Sequence, residues 1–441
     1  MKIKYVMFGI GLLLAGTLAS QETMQFSLQQ AQDFAMEHNF QMQNARYDVN
    51  SAELSVWETL SAGLPQVNAS AGLNDNLKLM TTLIPAEMFG GPPGTYAEIQ
   101  FGTQFNTSWG VQASQLLFNG PVIVGVQTAK VYQKLAEQGL EKTEKDIRES
   151  VANTYYLTLV SEEAMKIIEG NIRNLEKTLL QTNTMYAAGM AEATDVDQIQ
   201  VTLTMMENTK RSMLRNIELN YNLLRFQLGL TIETQMVLTE KLEDIMQQIS
   251  VETMLAQRFI PADHIEMQMM ETQENLAELS LKAKKAQILP TLAGFYSYNQ
   301  SGQGDELFDQ SWFPSSMLGL SLDIPILAGG QRRAQISKAK VELEKARTTR
   351  TMLQEQMLMQ ERQLRFNLKN AAEKYSSEKE NVLLAKRILD NLNLKFEQGI
   401  ISSLELTQAN NNYLQAENNY ISAMMEVINA KLALDKLLNN I

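Results

Sequence analysis

Apolar residues recur at alternating spacings of three and four positions along the C-terminal part of the chain. The run consists of Leu406, Ala409, Tyr413, Ala416, Tyr420, Ala423, Val427, Ala430, Leu434, Leu437 and Ile441. Shorter runs of the same kind occur around Leu368–Phe396 and Val196–Ile217, the latter interrupted by Lys210. Large residues that alternate with alanine are typical of closely packed, left-handed coiled helices. The pattern predicts helices that need partners along their whole length.

The prolines show where such helices can lie. None of the nine falls between Pro121 and Pro261 or after Pro325. Because a proline inside a helix costs about 3 kcal/mol, these two segments can hold long helices. Each is broken by a glycine, Gly189 or Gly399, which permits a chain reversal. The expected helices span about 120–188, 190–230, 330–397 and 400–440.

Four other segments alternate between apolar and polar residues, with a period of two. They predict strands at about 64–80, 100–118, 289–300 and 315–327, although the third, TLAGFYSYNQ, alternates poorly. Such strands suit either a soluble sandwich or an outer-membrane barrel, whose outer face meets lipid. Long strands and polar faces with few charges favour the barrel. A membrane barrel needs at least about eight strands, so several chains would have to share it.

The N-terminus carries the features of a secretory signal peptide over residues 1–19, with Lys2 and Lys4 before an apolar run. The mature chain is therefore expected outside the cytoplasm. A net charge of −12 argues against nucleic acid as a partner. The absence of cysteine excludes disulfides, thiolate metal sites and cysteine nucleophiles.

No catalytic constellation is found, so an enzyme is not expected, and neither a cofactor nor a metal site is predicted. The two histidines, His38 and His264, each lack a neighbour at ligand spacing. The 25 methionines could suggest Cu(I) binding. They are scattered, however, and packing in irregular helix seams explains them better.

The halves of the mature chain repeat one order of elements: strand, loop, strand, long helix, glycine break, shorter helix. Leu64-Pro65 recurs as Leu289-Pro290, and the glycine breaks are 210 residues apart. We therefore divide the chain into residues 20–230 as the first repeat, 231–288 as a linker and 289–441 as the second repeat.

These features resemble the TolC-like outer-membrane efflux proteins. The resemblance rests on LPQVNASAGL and LPTLAGFYSY as strand openings, on LFNGP and IPILAGGQRRAQI as strand-to-helix transitions, and on the two breaks, YAAG and FEQG. It implies a mainly α-helical fold with a membrane β-barrel portion. A homotrimer would share a twelve-stranded barrel in outer-membrane lipid, continued by a periplasmic tunnel of coiled helices. The implied function is a passive exit duct for small molecules, working with a periplasmic adaptor and an inner-membrane pump.

The resemblance also assigns roles to residues near the glycine breaks, which would form the periplasmic tips. Candidates for the turn and for adaptor docking are Tyr186, Gly189, Thr194, Phe396, Gly399, Ser402 and Ser403. Candidates for a gate are Asp195, Glu405 and Gln408. In a trimer the two acids would supply six carboxylates around the axis, which would favour cations.

Both acids have a second interpretation, because a carboxylate in the first turn of a helix can cap free backbone amides. The sequence also departs from the family at Gln408, where a second acid is usual, and at Ile401, where some members carry a locking arginine. Two other functions remain open. One is the outer-membrane duct of a type I protein secretion system, and the other is a secreted, soluble coiled-coil scaffold.

Overall fold

The structure is a computed structural model that describes residues 23–440. The predicted signal peptide and Ile441, the last residue of the C-terminal seam, lie outside the described residues. The strands are β1 (Met24–Phe26), β2 (Gln66–Asp75), β3 (Met80–Pro85), β4 (Tyr96–Phe101), β5 (Phe105–Phe118), β6 (Met236–Leu238), β7 (Thr291–Gly304) and β8 (Ser311–Asp323). The helices are α1 (Leu28–His38), α2 (Phe40–Ser61), α3 (Gly120–Ala187), α4 (Ala193–Leu228), α5 (Leu242–Gln248), α6 (Val251–Ala256), α7 (Ile265–Ala286), α8 (Gln331–Glu397) and α9 (Ser403–Leu437).

The described chain divides into two compact units. The strand unit consists of Asn44–Lys142 and Ile260–Met359. The tip unit takes in the described chain up to Gln43, then Thr143–Phe259, and the chain from Gln360 onward. Among the described residues, no helix is both long enough and apolar enough to cross a membrane.

The strand unit is built on one antiparallel sheet in the order β2-β5-β7-β8. The register aligns the four strands so that their apolar positions lie side by side on one face of the sheet. Val67, Ala113, Tyr296 and Leu318 form one cross-strand row, and Ala69, Val111, Tyr298 and Ser316 form the next. Because successive side chains point to opposite faces, one face is mainly apolar and the other mainly polar. The predicted strand faces are confirmed.

The loop between the first two predicted strands contains a hairpin that we did not predict. Strands β3 and β4 pair in register from Met80 opposite Phe101 to Pro85 opposite Tyr96. A short 3₁₀ turn at Ala86–Phe89 leads into the connection. The connection between them is rich in glycine and proline, which favour turns, and the short strands on either side were therefore not predicted.

The tip unit contains α4, α9 and the C-terminal parts of α3 and α8, packed along the predicted seams. The seam residues Leu406, Ala409, Ala423, Val427, Leu434 and Leu437 are buried, as are Leu368, Ala371, Leu389, Phe396, Ile199 and Leu203. The seam prediction is therefore confirmed for the described residues. Lys210, which interrupts one seam, forms an ion pair with Glu169 at 2.8 Å.

The segment that we predicted as a linker holds several ordered elements. Strand β6 pairs in parallel with β1, and Tyr155 donates a hydrogen bond from its hydroxyl to the Phe26 carbonyl oxygen at 3.0 Å. Further along, α7 precedes the strand pair of the second half as α2 precedes that of the first. His264 is the N-cap of α7: its Nδ1 accepts a hydrogen bond from the Glu266 amide at 3.4 Å.

Candidate functional site

The two glycine breaks adopt the same hydrogen-bonded turn. After α3, Gly189 has a φ of 75°, and after α8, Gly399 has a φ of 70°. The Gly189 amide donates to the Tyr186 carbonyl at 3.0 Å, and the Gly399 amide donates to the Phe396 carbonyl at 2.9 Å. In each turn the amide of the following residue donates to the carbonyl five positions earlier, at 2.8 and 2.9 Å. This is the Schellman motif, in which glycine supplies the left-handed residue at low cost.

The helices that follow the turns begin with different caps. The amide of Glu192, the N-cap of α4, donates to Oδ2 of Asp195 at 2.9 Å. In α9, the Ser402 hydroxyl oxygen accepts from the Glu405 amide at 3.3 Å. Asp195 is therefore a capping carboxylate. The Glu405 side chain is exposed, and its carboxylate has no hydrogen bond or ion pair within the described part of the chain.

The two turns are joined by one hydrogen bond between side chains. The Ser403 hydroxyl donates to Oδ1 of Asp195, 208 residues away in sequence. Both carboxylate oxygens of Asp195 are thus in use, one for its own helix and one for the other turn. Ser403, a predicted docking residue, is itself buried. Its role here is to join the two turns.

The repeated aromatic residue has a different environment in each turn. Phe396 is only 2% exposed and packs in a cluster with Leu389, Leu406 and Ala409. Met185, from the other turn, packs against that cluster. Tyr186 is 50% exposed. One aromatic residue therefore anchors its turn, whereas the other presents a ring that is open to a partner.

The remaining predicted tip residues lie on the surface. Thr194 donates its hydroxyl to the Glu192 carboxylate at 3.3 Å, and Gln408 donates its amide to Asn412 at 3.1 Å. Both side chains are exposed. The structure places Thr194 with Asp195 near the start of α4, and Gln408 one turn after Glu405 on α9.

A polar link between α3 and α8 lies behind the turns, and the sequence analysis missed it. Glu397 accepts hydrogen bonds from Gln181 at 3.1 Å and from Lys177 at 3.2 Å. The bond from Gln181, together with the bond and charge of Lys177, lowers the pKa of Glu397. The sequence contained no signal for this link, because its partners lie on helices of different repeats.

A buried carboxylate lies deeper among the same helices. Glu417 of α9 is 7% exposed, and its Oε2 accepts a hydrogen bond from Nδ2 of Asn171 on α3 at 2.7 Å. Tyr413 donates a second hydrogen bond to it. Burial raises the pKa of Glu417 against the opposing effects of these two bonds and of Lys386. The carboxylate lines a polar cavity of about 550 Å³, whose other charged lining groups are Lys177, Lys386, Asp390 and Glu397.

This burial predicts a pH dependence of stability. A carboxyl group with a raised folded-state pKa contributes stability that is complete below its ordinary pKa and is lost as pH rises through the folded value. Glu417→Gln keeps an oxygen acceptor for Asn171 and removes the charge. We expect the variant to melt at a higher temperature than the native chain near neutral pH and to lose this part of the acid stabilisation.

The matched control is Glu405→Gln, which removes an exposed carboxylate from the same helix. Its melting temperature should follow the native chain at every pH. Melting curves of detergent-purified protein between pH 4 and 8 measure both variants. An unchanged pH profile for Glu417→Gln would refute the assignment.

The described residues hold no group of three or more His, Asp or Glu side chains placed to bind a metal ion. The helix faces and turns offer instead a set of surface carboxylates, amides and one exposed tyrosine at two adjacent reversals. Such an arrangement can bind a protein partner and bias the passage of ions.

Comparison with known proteins agrees with this description. The sequence profile of the family described as outer membrane efflux protein matches residues 32–230 and 262–440. No curated protein sequence matches the chain significantly. The two profile matches include the four main strands, the long helices and both turns.

Solved structures share the fold at low identity. The outer membrane protein VceC from Vibrio cholerae is 15% identical, with a TM-score of 0.71 over 93% of this chain and 95% of that one. The CmeC outer membrane channel from Campylobacter jejuni is 15% identical, with a TM-score of 0.70 over 99% and 93%. The open-state MtrE outer membrane channel from Neisseria gonorrhoeae is 17% identical, with a TM-score of 0.71 over 93% and 88%.

These structures confirm the predicted fold class, a barrel portion continued by a helical tunnel, in which one chain supplies part of a barrel that three chains close. The match to an outer-membrane family argues against the soluble scaffold. Because the family profile matches both repeats and the fold is that of outer-membrane channels, the chain belongs to the outer membrane efflux protein family and is an efflux channel of the outer membrane.

Proposed function

We propose that three copies of this chain form a passive exit duct that works with a periplasmic adaptor and an inner-membrane pump. Each copy contributes β2, β5, β7 and β8 to a twelve-stranded barrel, and the turns after α3 and α8 form the periplasmic tips. The proposed path carries small molecules from the periplasm to the outside. Members of the family form trimers and work with such partners, which supports the proposal.

The main support for the trimer is that the sheet of a single chain has two open edges and an exposed apolar face. Within the described residues, the outer edges of β2 and β8 pair with no other strand. Large apolar side chains on one face are exposed, among them Val67, Leu318 and Leu320. Unpaired strand edges are not tolerated in lipid. Joining β8 of one copy to β2 of the next satisfies both edges and turns the apolar face outward.

The geometry of the turns supports a division of roles between the two acids. Asp195 caps α4 and holds the Ser403 hydroxyl, so its role is to keep the two turns together. Glu405 is exposed and unpaired among the described residues, and it supplies the charge that would act on passing ions. Gln408, one turn further along α9, offers a neutral amide. Tyr186 is the exposed aromatic residue for the adaptor.

The proposal is tested by purifying the native trimer in detergent, measuring its mass, and recording single-channel currents in a planar bilayer. We expect a mass of three chains and small, cation-selective currents. A monomer, or a trimer that carries no current in either the resting or a mutationally opened state, would refute the duct. A duct for secreted proteins would have the same geometry; transport assays with the cognate pump separate the two cargo classes.

Substitutions in the turns should distinguish the residues that hold the two turns together from the residue whose charge acts on passing ions. Ser403→Ala keeps every carboxylate and removes the bond between the turns, so we expect longer open times with unchanged cation selectivity. Asp195→Ala loses the cap as well, at about 0.5–2 kcal/mol of stability. Glu405→Ala should reduce cation selectivity with a stability change within about 0.5 kcal/mol.

Channel recordings and melting curves of the three variants measure these effects. Asp195→Asn is the matched control, since it retains an oxygen acceptor while it removes the charge. If Asp195→Asn lowered selectivity as much as Glu405→Ala, the charge of Asp195 would act in the pore and the division of roles would be wrong.

A further inference from the structure

In the tip unit, helices α3 and α4 form one hairpin and α8 and α9 form the other; we name them hairpin 1 and hairpin 2. Within each hairpin the buried contacts are apolar: Leu175, Ile199 and Leu203 in hairpin 1, and Leu389, Phe396, Leu406 and Ala409 in hairpin 2. Between the hairpins, two of the contacts named above join polar side chains. Ser403 bonds to Asp195, and Asn171 bonds to Glu417. The hairpins are thus apolar inside, and these polar side chains join them beside the apolar contact that Met185 makes with the hairpin 2 cluster.

A small cavity lies between these two polar contacts, with walls from all four helices. Its volume is about 20 Å³. A single water molecule needs roughly 10–15 Å³ of such space and two to four polar partners. The polar residues of the wall are Asn174, Thr178, Thr202, Asn393, Thr407 and Asn410. The cavity is therefore large enough for one water molecule and too small for a larger ligand.

One polar group in this wall lacks a partner. Asn410 is 7% exposed, and its Nδ2 is buried with no hydrogen-bond acceptor among the described residues. A buried donor left without a partner destabilises the folded chain, because the bond that it made to water is lost and not replaced. Native interiors seldom retain such a group, and the usual remedy is an ordered water molecule. The cavity next to Asn410 is the place for it.

Other polar groups of the wall can accept the hydrogen bonds that a water molecule donates. Thr178 and Thr202 each donate their hydroxyl hydrogen to a backbone carbonyl of their own helix, at 3.0 and 2.9 Å. Their oxygens keep free lone pairs and can accept a hydrogen bond. A site that combines an unpaired N–H donor with acceptor oxygens matches a molecule that both accepts and donates. A metal ion needs acceptors alone and a chloride ion needs donors alone.

We propose that one buried water molecule joins the two hairpins at Asn410, and that this wet contact is a point at which the hairpins separate. The molecule accepts a hydrogen bond from Asn410 of hairpin 2 and donates to threonine oxygens of hairpin 1. Separation at this point replaces these bonds with bonds to bulk water. Solvent can enter from the 550 Å³ cavity, because Asn174, Thr178, Leu389 and Asn393 line both spaces. The link to opening rests on the proposed duct.

The first test concerns the water itself and is independent of transport. A map of the native trimer at about 2 Å resolution should show a density peak about 2.7–3.2 Å from Asn410 Nδ2 and from at least one of the two threonine oxygens. An empty site, or a rotated Asn410 that bonds directly to a protein oxygen, would overturn the proposal.

The second test concerns separation. Asn410→Leu replaces the amide by an apolar side chain of similar size, which removes the water and makes the contact dry. We expect a higher melting temperature and a several-fold lower open probability in bilayer recordings. Asn411→Leu, the same change at the exposed neighbouring position, should leave both values as in the native chain.

A lower melting temperature for Asn410→Leu, or an open probability equal to that of the control, would overturn the role in separation. If the variant did not assemble, the native map would still decide whether the water exists. Native channels that conduct normally while the map shows a dry site would refute this inference and leave the proposed duct intact.

Discussion

Replacing Leu320 by arginine should prevent the chain from assembling in the outer membrane. Leu320 lies on the apolar face of β8 and is 72% exposed in the single chain. A lipid-facing arginine in a barrel costs about 2–4 kcal/mol at mid-depth of the bilayer and about 0–1 kcal/mol near its interfaces, and a trimer would incur the cost three times. The measurement is the amount of folded trimer in the outer-membrane fraction, which should fall to a small part of the native level.

The neighbouring residue supplies the control. Ser321 follows Leu320 on the same strand and points to the polar face, so Ser321→Arg should still assemble and should shift ion selectivity toward anions. Immunoblots of both variants at equal expression compare them directly. If Ser321→Arg blocked assembly and Leu320→Arg did not, the lipid face and the lumen face would be exchanged.

A second large effect is expected at Gly229, the residue that ends α4. Its φ is 72°, and a Cβ built there would lie 2.3 Å from the carbonyl oxygen of His38 and 2.9 Å from its carbonyl carbon. The two segments are also held together by a hydrogen bond from Asn39 Nδ2 to the Gln227 carbonyl at 2.6 Å. Gly229→Ala therefore combines left-handed strain with a backbone clash.

We expect Gly229→Ala to lower the free energy of unfolding by about 2–5 kcal/mol, from about 1–2 kcal/mol of strain and about 1–3 kcal/mol of overpacking. Melting of the detergent-solubilised trimer measures the loss. Gly189→Ala is the matched control, because Gly189 has nearly the same φ and no atom within 4 Å of its built Cβ. It should show the strain alone. Equal losses at both positions would contradict the clash.

Local sequence pattern predicted the helices and the strand faces well. The alternating spacing of Leu406, Ala409 and Ala423 is a property of one helix, and burial of that face follows from the period. The four main strands were also predicted, including β7, whose alternation is poor. The reason for the irregularity is visible only in the sheet: the ring of Phe295 lies against Gly319 of β8, where a Cβ would come within 2.7 Å of it. The glycine leaves room for an aromatic residue on the polar face.

The glycine turns were also predictable, because a Schellman turn needs one residue with positive φ and depends on only a few consecutive residues. The sequence analysis treated the two turns as equivalent. In the structure Phe396 is buried and Tyr186 is exposed. The difference arises from the surrounding packing, since the two aromatic residues have the same position in the repeat.

The sequence by itself determined the four long helices, the four main strands, their duplicated order, the two faces of the sheet and the family to which the chain belongs. Each of these depends on the spacing of residue types within one segment or on the order of segments. Only the tertiary structure decided the pairing of Asp195 with Ser403, the burial of Glu417 against Asn171, and the amide nitrogen of Asn410 that has no partner within the described part of the chain. These contacts join residues as far as 246 positions apart. Whether a carboxylate caps, bonds or stays exposed depends on which helix packs beside it.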